Sequence, residues 1–290
     1  MELDVLRKFE LAGKVGKRAL EYALSLVEPG SKLYDVAEKV EAFIVENGAR
    51  PAFPLNLSVD NDAAHYTPFT GDKLTFLTGQ LVKVDIGAQV DGYPSDNAAT
   101  IEVGNTGKHS DLIDASREAL NFAIKNLRPL MRIGQVGSNI GRTITSYGFK
   151  PIRNLGGHGV DKYDLHSRVF IPNYDDGNGR PIDSDGVFAL EPFASTGTGM
   201  IHSGPGGNIY IFSGTKPRKE EEIVKNFGTL PFAERWSTKV IPGGSRYLAE
   251  MMRKKEVSQF PVLREHRGVL ISQAEHTILV RGDEIRVLTA

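Results

Sequence analysis

The chain has 290 residues, a formal net charge of -1, 24% charged and 40% hydrophobic residues, and no cysteine. This composition is typical of a globular protein with a sizeable core. The overall charge does not indicate nucleic-acid binding, and no apolar run is long enough to span a membrane. The absence of cysteine excludes disulfides, thiolate metal sites and a cysteine nucleophile, so any metal must be held by carboxylates, imidazoles and water. The charged, helical N-terminus is unlike a signal peptide, and we expect a cytoplasmic enzyme or binding protein.

Good helix formers predict a helix over residues 3–28, and an apolar stripe predicts a second from Ser31 to about residue 47. A third helix is predicted over 111–130. The text "RIGQVGSNIGRTITSYGFKP" then repeats the pattern of "EPGSKLYDVAEKVEAFIVENGARP", with a glycine break, a helix, a terminal glycine and a proline. This similarity indicates a duplication of two α+β halves. Such punctuation is also common by chance, and that alternative stays open at this point.

Much of the sequence over residues 214–258 consists of charged, helix-forming residues, and the sequence after residue 268 again predicts strands. We therefore predict a first half over 1–105, a second half over 106–200 and 268–290, and an inserted helical subdomain over 201–267. The glycine-rich stretch "STGTGMIHSGPGGN" lacks the strand and helix that frame a nucleotide-binding loop, so no phosphate site is predicted there.

Two aspartates occupy the strand–turn–strand text "LVKVDIGAQVDGYPSDNA". Because side chains alternate along a strand, Asp85 and Asp96 both fall on the more polar face of their strands. Folding the chain about residues 90–91 would make them direct cross-strand neighbours, roughly 5 Å apart. Two such charges repel each other and need a cation, a shared proton or full solvation. On the hairpin alone, a solvated polar face is the favoured interpretation.

Three further residues favour a metal instead. Glu191 in "FALEPFA" and Glu275 in "ISQAEHTIL" lie in the middle of apolar strand-like text, where a lone carboxylate is costly. His158 in "LGGHGV" is flanked by glycines, which allow close approach of the backbone. Four carboxylates and one imidazole suit a pair of divalent first-row ions, and two such ions indicate metal-assisted hydrolysis.

The ordered motifs "VKVDIGAQVDGYPSDNA", "LGGHGV", "FALEPF" and "QAEHTIL" resemble those of the methionine aminopeptidases and their relatives of the pita-bread fold. The resemblance covers nearly the whole chain. It implies an α+β protein whose two duplicated halves, related by a pseudo-two-fold axis, share a central antiparallel sheet covered by helices. It also implies two divalent metal ions per chain (Co, Mn, Fe, Zn or Ni), held by Asp85, Asp96, His158, Glu191 and Glu275.

Two segments resemble methionine aminopeptidase more than its relatives. "PAFPLNLSVDNDAAHYTP" is similar to a methionine-pocket segment with a substrate-contacting histidine, here His65, and "GVDKYDLHS" supplies a second one, His166. The inserted block between Glu191 and Glu275 resembles the type II subfamily, and the lack of a long N-terminal extension resembles archaeal members. Asn97, where the family usually has threonine, departs from the pattern, as do Pro94 and Ser95.

The resemblance also implies roles. Glu191 takes a proton from the attacking water, His166 contacts the scissile carbonyl or its tetrahedral intermediate, and His65 lies near the substrate amide nitrogen or the leaving amine. Phe53, Pro54 and Asn56 are the first candidates for the methionine pocket, and Ile209 and Tyr210 are further ones. Without the resemblance, each histidine is better explained as a solvated loop residue, and simple core packing explains Phe53 equally well.

The expected reaction is removal of the initiator methionine from nascent proteins and peptides with a small second residue. We expect a monomer with transient ribosome contact and neither a membrane nor a specific nucleic-acid partner. An X-Pro aminopeptidase or prolidase using the same metals is the first alternative. The second is a non-catalytic relative that binds RNA or protein, but such relatives lose metal ligands, and all five are present here.

Overall fold

The computed structural model describes residues 1–213, 222–240 and 243–290. Residues 214–221, part of the predicted helical insert, lie outside the described residues. The helices are α1 Leu3–Leu26, α2 Leu33–Glu46, α3 Ser110–Asn126, α4 Ile133–Ser146, α5 Glu222–Phe227, α6 Glu234–Val240 and α7 Gly244–Arg253. In the described residues, no helix combines the length and the apolar character that a membrane crossing requires.

The strands are short and antiparallel in every pairing described. They are β1 Arg50–Pro51, β2 Asn56–Val59, β3 Asp62–Ala64, β4 Leu81–Ile86, β5 Ala88–Val90, β6 Tyr93–Pro94, β7 Asn97–Glu102, β8 Lys150–Pro151, β9 Gly156–Asp161, β10 Asp164–Pro172, β11 Asp185–Leu190, β12 Phe193–Ser195, β13 His202–Phe212, β14 Phe232–Ala233, β15 Val257–Arg264, β16 Ile271–Arg281 and β17 Glu284–Val287.

One long sheet runs through both predicted halves in the order β10-β9-β11-β16-β7-β4-β2. Strands β2, β4 and β7 belong to the first half, and β9, β10 and β11 belong to the second. Strand β16 joins them, because it pairs with β7 on one side and β11 on the other. The side chains that face the middle of this sheet therefore come from both halves.

The two halves repeat the same arrangement at an offset of 100 residues. Helix α2 and strand β1 in the first half correspond to α4 and β8 in the second. Each half has its own apolar core between its helices and the sheet. The first core includes Val15, Val36, Val40, Ile44, Leu57 and Val84, and the second includes Leu112, Val136, Ile140, Ile144, Phe188 and Ile278. This geometry supports the predicted duplication.

The hairpin that carries the two aspartates has a different register from the predicted one. Val90 pairs with Tyr93 across a two-residue turn in which Asp91 and Gly92 both have positive φ, at 52° and 87°. That conformation is the usual choice of an Asp-Gly hairpin turn. Asp85 consequently lies opposite Ala98, and the predicted direct pairing with Asp96 is wrong by two residues. An even shift keeps both aspartates on one face.

The predicted insert contributes strands as well as helices. Strands β13, β14 and β15 form a separate sheet with β3 of the first half, and α5, α6 and α7 belong to the same segment. The glycine-rich stretch, predicted as a loop, enters β13 at His202. Before β13, this stretch binds a carboxylate of the chain itself: the hydroxyls of Ser195, at the end of β12, and of Thr198, in the loop, donate to Glu265 over 2.6 Å each.

Candidate metal centre and substrate cavity

The five predicted metal ligands converge from five places in the long sheet. Asp85 lies in β4, Asp96 directly before β7, and His158 in β9, while Glu191 directly follows β11 and Glu275 lies in β16. All five line one cavity of about 430 Å³. The structure therefore brings together every residue of the predicted set.

Glycines beside His158 let β9 lie close to both neighbouring strands. A Cβ on Gly157 would be 2.2 Å from the carbonyl oxygen of Ala189, and one on Gly159 would be 2.4 Å from that of Ser167. Real Cβ atoms do not approach backbone so closely, so these positions need glycine. The close packing of β9 places the imidazole of His158 in the sheet beside the acids.

The side-chain atoms of the cluster lie within a few ångströms of each other. His158 Nε2 is 3.6 Å from an Asp96 oxygen and 3.9 Å from a Glu191 oxygen. One ligand atom each from Asp96, His158 and Glu275 lies within 4.8 Å of the other two. A single cation could contact this trio, with Asp85 and Glu191 beside it.

Burial and the charge of neighbouring acids disfavour the ionised form of the four acidic side chains. Burial raises the pKa of Asp85 to about 7. Burial, followed by the charge of Asp85, raises the pKa of Asp96 well above its usual range. Glu191 and Glu275 have pKa values raised by burial and then by Asp96. Four crowded acids of this kind need either protons or a countercharge.

The imidazoles of the cavity are neutral for the same physical reason. Burial lowers the pKa of His158 to about 3 and that of His65 to about 4, and it also lowers the pKa of His166. His158 and His166 pack with ring centroids 4.3 Å apart. A neutral imidazole keeps a lone pair for a metal or for a substrate proton.

The donor set fits divalent ions. Oδ1 of Asp85 and Oδ1 of Asp96 are buried without a hydrogen-bond partner among the described residues. His158 Nδ1 lies 3.3 Å from the carbonyl oxygen of Gly159, which favours the tautomer with its lone pair on Nε2, toward the acids. Unpaired buried oxygens are costly unless a cation meets them.

Apolar and aromatic side chains form the rest of the cavity. Phe53, Asn56 and Ile209, all expected at the methionine pocket, line it, as do His65 and His166. Tyr210 instead stacks on Phe232 in the core of the insert. The remaining lining residues include Ala64, Leu165, Phe193, Pro231 and Phe260. The cavity opens to solvent at Asn154 and at Phe170, whose relative exposure is 49%.

His65 has an unusual backbone conformation, with a φ of 67°. A residue with a side chain rarely adopts this left-handed conformation, and functional sites are where it is most often found. The ring packs edge-on against Phe260 with centroids 5.1 Å apart, and Nδ1 is buried without a hydrogen-bond partner among the described residues. The ring is thus held at the cavity wall by its backbone and by Phe260.

A family model described as metallopeptidase family M24 matches residues 7–228 of the chain. The chain belongs to family M24. The methionine aminopeptidase of Methanocaldococcus jannaschii is 42% identical over the full length of both chains, and that of Pyrococcus abyssi is 41% identical over 99% of this chain and 100% of its own. The structure of a methionine aminopeptidase from Thermotoga maritima superposes with a TM-score of 0.75 and 25% identity, covering 100% of this chain and 98% of that one. The pita-bread fold expected from the motifs is confirmed.

Sequence reasoning missed two residues of this M24 site. The amide nitrogen of Gln273 lies 3.3 Å from Glu275 and 3.5 Å from both Asp85 and Glu191. The Thr277 hydroxyl, 2.7 Å from both backbone groups of Asp96, accepts from its N–H and donates to its carbonyl. The signal was present, because residues two before and two after Glu275 share its face of the strand.

Two of the residues around Asp96 that depart from the family pattern, Ser95 and Asn97, have side chains that contact α1. The Ser95 hydroxyl donates to the Ala12 carbonyl over 2.9 Å, and the Asn97 amide donates to the Gly16 carbonyl over 3.3 Å. Both acceptors lie on α1. These side chains fix the position of the Asp96 backbone on that helix.

Proposed function

We propose that this M24 chain is a metal-dependent aminopeptidase that removes the N-terminal methionine from peptides and nascent proteins. The observation that carries the proposal is the convergence of four carboxylates and one imidazole at one cavity. The full-length similarity to methionine aminopeptidases supports methionine as the residue removed. It also favours this activity over that of an X-Pro peptidase.

Asp85, Asp96, His158, Glu191 and Glu275 would hold two divalent metal ions. Co, Mn, Fe, Zn and Ni all suit oxygen-rich sites with one nitrogen, and availability decides among them. When bound, such ions activate water and polarise the scissile carbonyl. The two unpaired aspartate oxygens are the structural support for this assignment.

The chain's own residues then handle protons and orientation. Glu191, whose pKa is raised first by burial, would accept a proton from the attacking water at its carboxylate. His166, packed against His158, would donate to the oxygen of the scissile carbonyl. His65 would face the substrate amide nitrogen or the leaving amine.

The cavity would select methionine by shape and apolarity. Phe53 and Ile209 offer apolar walls, while Asn56 supplies a polar edge beside Asp85, its cross-strand partner. A narrow apolar pocket suits an unbranched thioether. We expect the same confinement to favour substrates with a small second residue.

We further propose that the enzyme acts in the cytoplasm as a monomer, meeting new N-termini through transient contact with the ribosome. The support is chemical: initiator methionines become accessible on nascent chains. Sedimentation of the purified protein alone would test the monomeric state, and sedimentation with ribosomes would test the ribosome contact.

The decisive assay offers Met-Ala-Ser and an X-Pro peptide to metal-free protein supplied with Mn, Co or Fe. We expect free methionine from the first peptide and no cleavage of the second. Cleavage of the X-Pro peptide alone would replace the proposal with a prolidase-type activity. Cleavage of neither would overturn the enzymatic assignment.

A further inference from the structure

Arg235, in helix α6 of the insert, is a fully buried cation far from the acid cluster in sequence. Its guanidinium pairs with the Glu41 carboxylate of α2 and lies 3.3 Å from a Glu38 oxygen. It also donates to the Thr67 hydroxyl over 2.8 Å and to the Pro68 carbonyl over 3.1 Å. One side chain thus ties the insert to two segments of the first half.

Glu41, itself buried, extends this network. It accepts the indole N–H of Trp236 over 2.7 Å and the backbone N–H of Leu55 over 3.0 Å. The Thr67 hydroxyl in turn donates to the Leu55 carbonyl over 2.8 Å. Both backbone groups of Leu55 are therefore fixed by partners of Arg235.

The segments held in this way carry cavity residues. Leu55 directly precedes Asn56, which lies opposite Asp85 in the sheet. Thr67 follows His65 by two residues, and His65 has the left-handed backbone described above. A conformation of this kind persists only where the surrounding structure holds it.

We propose that Arg235 is a positioning residue that holds the segment 55–68, and with it Asn56 and His65, in the geometry the reaction needs. This inference rests on the proposed function, since it concerns the same cavity. The insert also supplies Ile209 and Pro231 to the cavity wall, so the network fixes the two walls relative to each other.

A purely stabilising role is the competing explanation, and two variants separate it. Arg235→Met removes the charge while keeping an extended side chain. Leu248→Ala, in the core of the insert with a side chain 2% exposed, destabilises the same segment by forming a cavity without altering the network. Both are compared at temperatures equally far below their own unfolding midpoints, with metal and Met-Ala-Ser supplied.

We expect Arg235→Met to lower kcat/KM about tenfold to a hundredfold, because small misplacements of site residues are costly. Leu248→Ala should stay within about threefold of the wild type. Arg235→Lys, which keeps the charge but loses the planar fork, should fall between them. Glu41→Gln, a milder change to the same network, replaces Arg235→Met if that variant does not fold.

Amide hydrogen exchange over residues 55–68 provides a readout independent of catalysis. Exchange there should accelerate in Arg235→Met and remain at the wild-type rate in Leu248→Ala. Equal kinetics for the two variants, or unchanged exchange over 55–68 in Arg235→Met, would overturn the inference. If the wild type released no methionine, the proposed function would fail, and the exchange data would still decide whether Arg235 holds this segment.

Discussion

His158 presents Nε2 to Asp96 and Glu191 while its Nδ1 faces a backbone carbonyl. Loss of a group that merely supports a metal ligand costs about tenfold to a hundredfold in metal affinity, so loss of a ligand should cost more. We expect His158→Ala to bind less metal per chain and to retain under about 1% of wild-type kcat/KM. Metal analysis after dialysis and peptide kinetics measure both quantities, with the exposed His202 changed to Ala as the control. Full metal content and activity in His158→Ala would contradict the site assignment.

Gln273 touches three of the four acids through one amide nitrogen. Leucine at this position would keep the volume and remove the donor, leaving the carboxylates less well oriented. We expect Gln273→Leu to weaken metal binding about tenfold to a hundredfold, as measured by calorimetric titration of metal-free protein. Gln135→Leu, at an exposed position of helix α4, makes the same exchange away from the site and should bind metal normally. An unchanged affinity in Gln273→Leu would show that the amide does not orient the acids.

At the level of elements, the contact of α1 with the Asp96 strand depends on a missing side chain. A Cβ on Gly16 would lie 2.6 Å from the Ser95 hydroxyl and 2.7 Å from the Asn97 side-chain oxygen. Alanine normally stabilises a helix interior by up to about 1 kcal/mol relative to glycine. Here the clash outweighs that gain, because both side chains are buried and held on α1, Ser95 through its hydroxyl and Asn97 through its amide nitrogen.

We therefore expect Gly16→Ala to lower the free energy of unfolding by about 1–3 kcal/mol, the usual cost of overpacking. Urea denaturation of metal-free protein gives this quantity without any contribution from bound ions. Lys14→Ala, on the exposed side of the same helix, is the matched control and should be close to neutral. A more stable Gly16→Ala protein would mean that α1 is not packed on Ser95 and Asn97 as described.

Several elements could be predicted from sequence because their signals are local. Helix α1 follows from its helix-forming residues, and the strands that carry the acids follow from their apolar residues. Side-chain parity alone placed Asp85 and Asp96 on one face. The predicted register of this hairpin was wrong, although the Asp91–Gly92 turn that sets it can be recognised in the sequence. Arg235 and Glu41 gave no signal, because partners 194 residues apart are joined only by the tertiary fold.

At the scale of the whole molecule, Glu265 makes the stability of the fold depend on pH. Burial raises its pKa, but hydrogen bonds from Ser195 and Thr198 outweigh burial, so the pKa of Glu265 is lowered. A carboxyl with a lowered pKa stabilises the fold above its unfolded pKa, about 4.3, and this contribution disappears as pH falls through the folded value.

We expect Glu265→Gln to lose about 1–3 kcal/mol of unfolding free energy at pH 7. The difference from wild type should shrink as the pH falls from 7 toward 3, because protonation of the wild-type carboxyl through its lowered pKa removes the charge. Urea titrations at the two pH values measure this, and Glu256→Gln serves as the comparison. A difference that stays constant with pH would show that the Glu265 charge is not what holds the loop.

The position of β16 has a consequence for how the protein acquires its activity. This strand lies between β7 and β11 in space but follows both in the chain. Until it inserts, each half presents an open sheet edge that could pair with another chain. Contacts such as Gln273 with Asp85, 188 positions apart, also make the final step slow, because distant segments must meet. The hydrolytic centre comes into existence only with that insertion, so a partly folded chain cannot cleave the peptides around it.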